Sequence, residues 1–233
     1  MDSHERITQR YQGRQGRAYH EVKRGIPDVA LPWVAASRAA QLAHFVTPRD
    51  AVLEYGVGSG WNLAVLPCGR KLGYDVHRGL RPVLERQGIE FVEDLNTVAD
   101  GSIDVVLCRH VLEHTPDPLA VLSRILRLLR EGGRLVLIVP YEFGRRGRRF
   151  DPDEPNHHVY AWNVQTLGNL VTDAGFLVQR AGLGRYGYDR FAAAWAVRLR
   201  AGRIGFGVIR RLGQCLVPLR EVRLLAVKPG RGS

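Results

Sequence analysis

Cysteine is scarce in this 233-residue sequence, with three residues, Cys68, Cys108 and Cys215, and no C-x-x-C pair. That excludes a disulfide framework or a cysteine-based zinc site as the organising device, and makes a reducing, cytoplasmic setting the expectation. Long apolar runs are missing too. No uncharged stretch approaches the ~18 residues of a membrane-spanning helix, and no basic-then-apolar leader opens the chain. Lysine is nearly absent, with 3 residues against 31 arginines, a skew that codon usage in a G+C-rich genome accounts for. Acidic residues number 23, so the net charge is +11 at pH 7. Such a surface favours anionic partners: phosphorylated substrates, acidic lipids or nucleic acid. There is no internal repeat. The length and the 45% apolar content suit one α/β domain with additions.

What is present centres on residues 51–66, AVLEYGVGSGWNLAVL. An apolar strand ends at Glu54 and Tyr55, a turn carries glycine at 56, 58 and 60, and helical spacing follows at Leu63, Ala64 and Leu66. Alternating glycines let backbone approach a ligand with no Cβ in the way, and a helix N-terminus beyond them offers N–H groups to polar ligand atoms. A dinucleotide turn would read G-x-G-x-x-G, and Trp61 breaks that pattern. The E-x-G-x-G-x-G arrangement of Glu54, Gly56, Gly58 and Gly60 instead resembles motif I of the class I S-adenosylmethionine-dependent methyltransferases. The stretch SIDVVLCRHVLEHTPDPLAVLSRILRLLREGGRLVLIVP is similar to the second half of that family: an acid-led strand, a His-containing turn, a Leu-rich helix, a Gly-Gly stop and a strand ending in Pro.

The resemblance covers about 52–228. It implies a Rossmann-like, seven-stranded, mostly parallel sheet with helices on both faces and an antiparallel last strand. It also implies S-adenosylmethionine as cofactor, held by Glu54, Gly56, Gly58, Gly60, Asp75, Asp94, Leu95 and Arg109. Asp75, closing a short second strand over 70–75, takes the family's ribose position. Asp94 takes the adenine-amino position, with Leu95 flanking the ring and Glu93 a one-residue competitor. Residues 1–46 form an N-terminal segment and helix. Tyr19 in it is read equally as a residue folded over the cofactor or as part of a tail. Residues 47–233 form the methyltransferase domain, with a long loop at 140–162 and a helical insertion at about 188–217. The apolar face of 203–217 reads first as a helix packed on the domain, and second as a peripheral membrane contact.

Methyl transfer needs an aligned nucleophile, and a general base only where the acceptor holds its proton at neutral pH. His157 and His158 in the long loop are the first base candidates, with His110 the alternative. The histidines lack a third and fourth zinc ligand at suitable spacing, so no metal is expected. The expected acceptor is a small molecule, a glycan or a lipid-linked intermediate. The alternatives are an RNA or protein methyltransferase, with nucleic acid left open by the charge, and a non-catalytic cofactor-binding scaffold of the same fold.

Overall fold

The computed structural model describes Tyr11 and residues 25–142, 150–151 and 156–230. Seven strands form one sheet in the order β3-β2-β1-β4-β5-β7-β6. In chain order these are β1 (Ala51–Tyr55), β2 (Arg70–Tyr74), β3 (Glu90–Val92), β4 (Ile103–Arg109), β5 (Leu129–Pro140), β6 (Leu177–Tyr186) and β7 (Leu219–Val227). β1 through β5 are mutually parallel, and β7 enters antiparallel between β5 and β6. This is the expected seven-stranded arrangement.

The central strands are apolar at consecutive positions because both of their faces are covered. Side chains alternate across a strand, so each strand feeds two cores. Leu53, Val106, Cys108, Leu135 and Leu137 join one core, which packs against α4 (Pro118–Leu128) and α5 (Val164–Asp173). Val52, Val105, Leu107, Val136 and Ile138 join the other, which packs against α1 (Leu31–Leu42), α2 (Trp61–Ala64) and α3 (Arg81–Glu85). The helix starts are written locally. Asp117 accepts from Ala120 N at 2.9 Å to cap α4. Asn163 and Thr166 form a reciprocal capping box on α5.

Several boundaries differ from the sequence expectation. The insertion at 188–217 is two helices, α6 (Asp189–Arg198) and α7 (Gly202–Leu216). They are broken where Arg200 takes a left-handed φ of 54°. β5 begins at Leu129, straight from the end of α4, because Gly132 at φ 68° lets the Glu131–Gly133 turn be absorbed into the strand. α2 is a single turn of 4 residues, so the helix N-terminus expected to present N–H groups is too short to carry a substantial dipole. The expected role of Tyr19, and residues 143–149 and 152–155 of the long loop, lie outside the described residues. Among the described residues no helix is long and apolar enough to cross a membrane.

Candidate functional site

The glycine turn leaves the carboxyl end of β1, where open α/β sheets place their ligands. Gly56 N and Val57 N both donate to Tyr74 O, at 2.8 and 3.0 Å, and pin the turn to the end of β2. Asp75 follows immediately and is 9% exposed. One of its oxygens accepts from Gly58 N at 3.0 Å and the other from His77 N at 2.9 Å. Asp75 thus sets the shape of the loop, whatever else it binds. Two of the glycines are required by geometry. Gly56 has φ 75°, and a Cβ there would sit 2.2 Å from a Val111 methyl. Gly60 has φ 76°, and its Cβ would meet the Leu84 side chain at 2.6 Å.

Glu54 lies beneath this turn, 2% exposed. Asn62 Nδ2 donates to its Oε1 at 2.8 Å. Its Oε2 and Asn62 Oδ1 are buried without a hydrogen-bond partner among the described residues. Burial pushes the Glu54 carboxyl up to about 7, against the pull of the Asn62 hydrogen bond and of Arg109 and Arg38. Two orphaned acceptors side by side suit a ligand that brings a cationic N–H donor.

The adenine-side expectations land differently from one another. Asp94 is exposed and caps a short turn, accepting from Asn96 N at 2.9 Å. Leu95 is 1% exposed within the core, so it offers little surface to a ring. Glu93 is engaged by Arg81 and lies 3.9 Å from Arg78. Asp94, Glu93, Arg81 and Phe91 line an open cavity of about 540 Å³ along the β3 edge.

A second group of side chains gathers where β4 ends. His110 has φ 53°, an uncommon backbone state for a residue with a Cβ. Its N–H donates to Ile138 O at 2.8 Å, which holds it there. His110 Nε2 lies 3.0 Å from Glu221 Oε2 on β7, and its ring is 5.1 Å from that of Tyr186 at the end of β6. Glu221 is fully buried. Burial alone would raise its carboxyl, but the His110 hydrogen bond, Arg109 and Arg223 hold it down to about 2. Arg109 reaches Glu221 at 3.4 Å, and Arg223 Nε donates to it at 2.8 Å. Arg109 therefore works as a half-buried countercharge for both Glu54 and Glu221.

Glu113, also fully buried, lies between the histidines, 4.0 Å from His110 Nδ1 and 3.8 Å from His114 Nε2. The rings of His114 and His158 meet edge-on at 4.8 Å. His158 Nδ1 pairs with Glu142 at 2.7 Å, and His114 Nδ1 with the Tyr11 hydroxyl at 2.9 Å. The loop is tied down by Val159 N and Tyr160 N, which donate to Glu113 O. Of the paired loop histidines, His158 joins this cluster by its ring. His157, at φ 50°, is placed by its carbonyl, 3.5 Å from the Tyr11 hydroxyl.

Three potential ligand side chains that the sequence spacing did not bring together, Glu113, His114 and His158, do gather in space, with ligand atoms within 4.8 Å of one another. Atoms sharing a tetrahedral zinc stand about 3.3 Å apart at the usual bond lengths, so the set is wider than a metal requires. Sequence reasoning missed Glu113, Glu221, Asn62 and Tyr11. Glu113 carried a signal, an acid flanked by two histidines in one turn. Tyr11 stood out only as an aromatic in a polar stretch, and Glu221 carried no signal; they are brought to His114 and His110 from 103 and 111 residues away.

The profile of a family described as a methyltransferase domain matches residues 31–181. The chain belongs to that family, the class I S-adenosylmethionine-dependent methyltransferases. It is 30% identical over 168 residues to a probable S-adenosylmethionine-dependent methyltransferase of Mycobacterium tuberculosis, covering 66% of this chain and 60% of that one. It is 47% identical over 49 residues to the ubiquinone biosynthesis O-methyltransferase of Xanthomonas oryzae, covering 21% of this chain and 20% of that one. The chain thus matches less than two thirds of the length of either relative. The Haemonchus contortus phosphoethanolamine N-methyltransferase 2, solved with S-adenosylmethionine, shares the fold. Its TM-score is 0.60 at 18% identity, covering 84% of this chain and 53% of that one. The family's methyl donor is S-adenosylmethionine, a zwitterion with an ammonium group and a sulfonium methyl. The orphaned acceptors of Glu54 and Asn62 and the Cβ-free turn fit such a molecule.

Proposed function

We propose that the chain transfers a methyl group from S-adenosylmethionine to a small-molecule, glycan or lipid-linked acceptor seated over His110, His114 and His158. One observation carries the reading: the glycine turn with its orphaned buried acceptors and the carboxylate-backed histidines lie at the ends of adjacent strands, β1 and β4. Glu54, Gly56, Gly58, Gly60 and Asp75 would hold the cofactor, with the exposed Asp94 on the adenine side. Arg109 neutralises the carboxylates beneath. When bound, the cofactor supplies a methyl already activated on sulfonium.

The chain's own residues then align the acceptor and manage its proton. Glu221 holds His110 by Nε2 and would stabilise the imidazolium formed when the ring accepts a proton at Nδ1. This is the orienting arrangement of a carboxylate–histidine pair, and it favours His110 over His157 as the base. Glu113 and His158 shape the acceptor side. Residues 1–46 act as a lid, a role supported by the Tyr11 hydroxyl on His114. The stretch shared with ubiquinone biosynthesis O-methyltransferases supports a hydroxyl acceptor, the case in which a base is needed. The alternative of an RNA or protein acceptor draws on the net charge of +11.

The test is incubation of the protein with methyl-labelled cofactor and separate lipid, small-molecule, RNA and protein fractions of a cell extract. Label should move into the lipid or small-molecule fraction. Label in RNA or protein would replace this reading with the alternative. Tight cofactor binding with no transfer into any fraction would leave a scaffold.

A further inference from the structure

Helix α7 packs the wrong way round for a soluble domain. Its inward face carries Phe206, Ile209 and Gly213, while its outward face carries Ile204, Val208, Leu212 and Leu216, spaced four apart. These four are 83, 53, 57 and 80% exposed. Gly213 allows the helix to sit close. A Cβ on Gly213 would meet the Tyr188 ring at 2.8 Å. The partner helix α6 repeats the arrangement. Ala192, Ala193 and Ala196 are buried against Ile26, Ala30 and Val34, and Phe191, Trp195 and Leu199 are left exposed. Exposed apolar stripes on consecutive helices mark an interaction surface.

The charge of the hairpin identifies the partner. Residues 190–217 contain six arginines, at 190, 198, 200, 203, 210 and 211, and no acidic residue. Asp189, just before them, is occupied by Arg38 and Arg210, at 2.8 and 2.7 Å. Arg203 and Arg211 are exposed along one flank of the Ile204–Leu216 stripe and have no ion pair or hydrogen bond among the described residues. With Trp33 they border an open groove of about 460 Å³ between α1 and α7. Arg198 stacks over Trp195, with its guanidinium carbon 5.5 Å from the ring. Apolar side chains flanked by arginine and tryptophan suit the boundary between lipid headgroups and acyl chains. A second copy of this chain would bring like charge against like charge.

We infer that the α6–α7 hairpin is a docking surface for an anionic lipid bilayer, with α7 lying in the plane of the interface. The hairpin starts three residues after Tyr186, the neighbour of His110, so the docking surface is directly continuous in the chain with the histidine cluster. The inference stands whether or not the proposed methyl transfer is correct, because it concerns lipid binding by the full chain.

Sedimentation with large unilamellar vesicles tests it. The protein should pellet with phosphatidylglycerol–phosphatidylcholine vesicles, pellet at least tenfold more weakly with phosphatidylcholine alone, and be released by salt. The pair Val208→Glu and Leu212→Glu should abolish pelleting while leaving the thermal melt unchanged, since both side chains face solvent. The pair Arg203→Gln and Arg211→Gln should weaken it by about 25-fold, on the scale of about fivefold for each arginine near an anionic surface. Failure of the wild type to pellet with anionic vesicles would overturn the inference. So would undiminished pelleting of the double glutamate variant. A concentration-dependent dimer that this variant dissolves would assign the face to a second copy and overturn it equally.

Discussion

Replacing Glu54 with Gln separates what this side chain does for the ligand from what it costs the fold. In the folded chain its carboxyl titrates at about 7 against an ordinary 4.5. The folded state therefore keeps a proton that the unfolded state releases. Stability contributed by the protonated group is fully present below pH 4.5 and is lost as pH rises to about 7. The difference of some 2.5 pH units corresponds to about 3 kcal/mol. Glutamine has the shape of the neutral acid and can still accept from Asn62, but it never ionises. Glu54→Gln should match wild type near pH 4.5 and exceed it by up to about 3 kcal/mol at pH 8. Urea denaturation at intervals between pH 4.5 and 8.5 reads this directly. The variant should bind S-adenosylmethionine about 10- to 100-fold more weakly, the scale of a hydrogen bond to a charged group. Wild-type affinity should rise with pH through the same window as the carboxylate forms. A constant stability difference between the two proteins across the range would refute the assignment of a shifted, ligand-facing carboxyl.

Gly56→Ala places a Cβ 2.2 Å from Val111 at a left-handed φ. It should lower stability by about 1–3 kcal/mol and weaken cofactor binding, read by thermal melting and calorimetry. Asp75→Ala removes the acceptor for Gly58 N and His77 N and the expected ribose contact. Affinity should fall by about 1.5–3 kcal/mol, and an unchanged affinity would move the ribose contact elsewhere. Glu221 is held at about 2, below its ordinary 4.5, so its stabilising effect is present above pH 4.5 and lost as pH falls towards 2. Glu221→Gln should be less stable than wild type at neutral pH by about 3 kcal/mol, the gap closing in acid. It should also move the pH profile of methyl transfer by releasing His110, which a purely structural role would not do.

The sheet was legible because β1, β4 and β5 are buried on both faces and read as unbroken apolar runs. The glycine turn was legible because its left-handed φ values at Gly56 and Gly60 write glycine into the sequence, while the Val111 and Leu84 side chains that also demand glycine there were not. The acceptor side was less so. Its base candidates came from the pairing of His157 and His158, yet the carboxylate that orients a histidine, Glu221, arrives on an antiparallel strand inserted late in the sheet. Tyr11 comes from the opposite end of the chain. Periodicity marked one face of 203–217 as apolar, but it cannot say which face is turned inward. Phe206 and Gly213 settle that, and they leave the stronger apolar stripe outside.

Methyl transfer from labelled S-adenosylmethionine into the responsive extract fraction, measured with wild type and His110→Ala at equal cofactor occupancy, tests the assignment of the two halves of the site. Wild type should label an acceptor. The variant should bind cofactor with unchanged affinity and transfer about 10²–10⁴-fold more slowly. A variant with the wild-type rate and pH profile, or a wild type that binds no S-adenosylmethionine, would contradict the account.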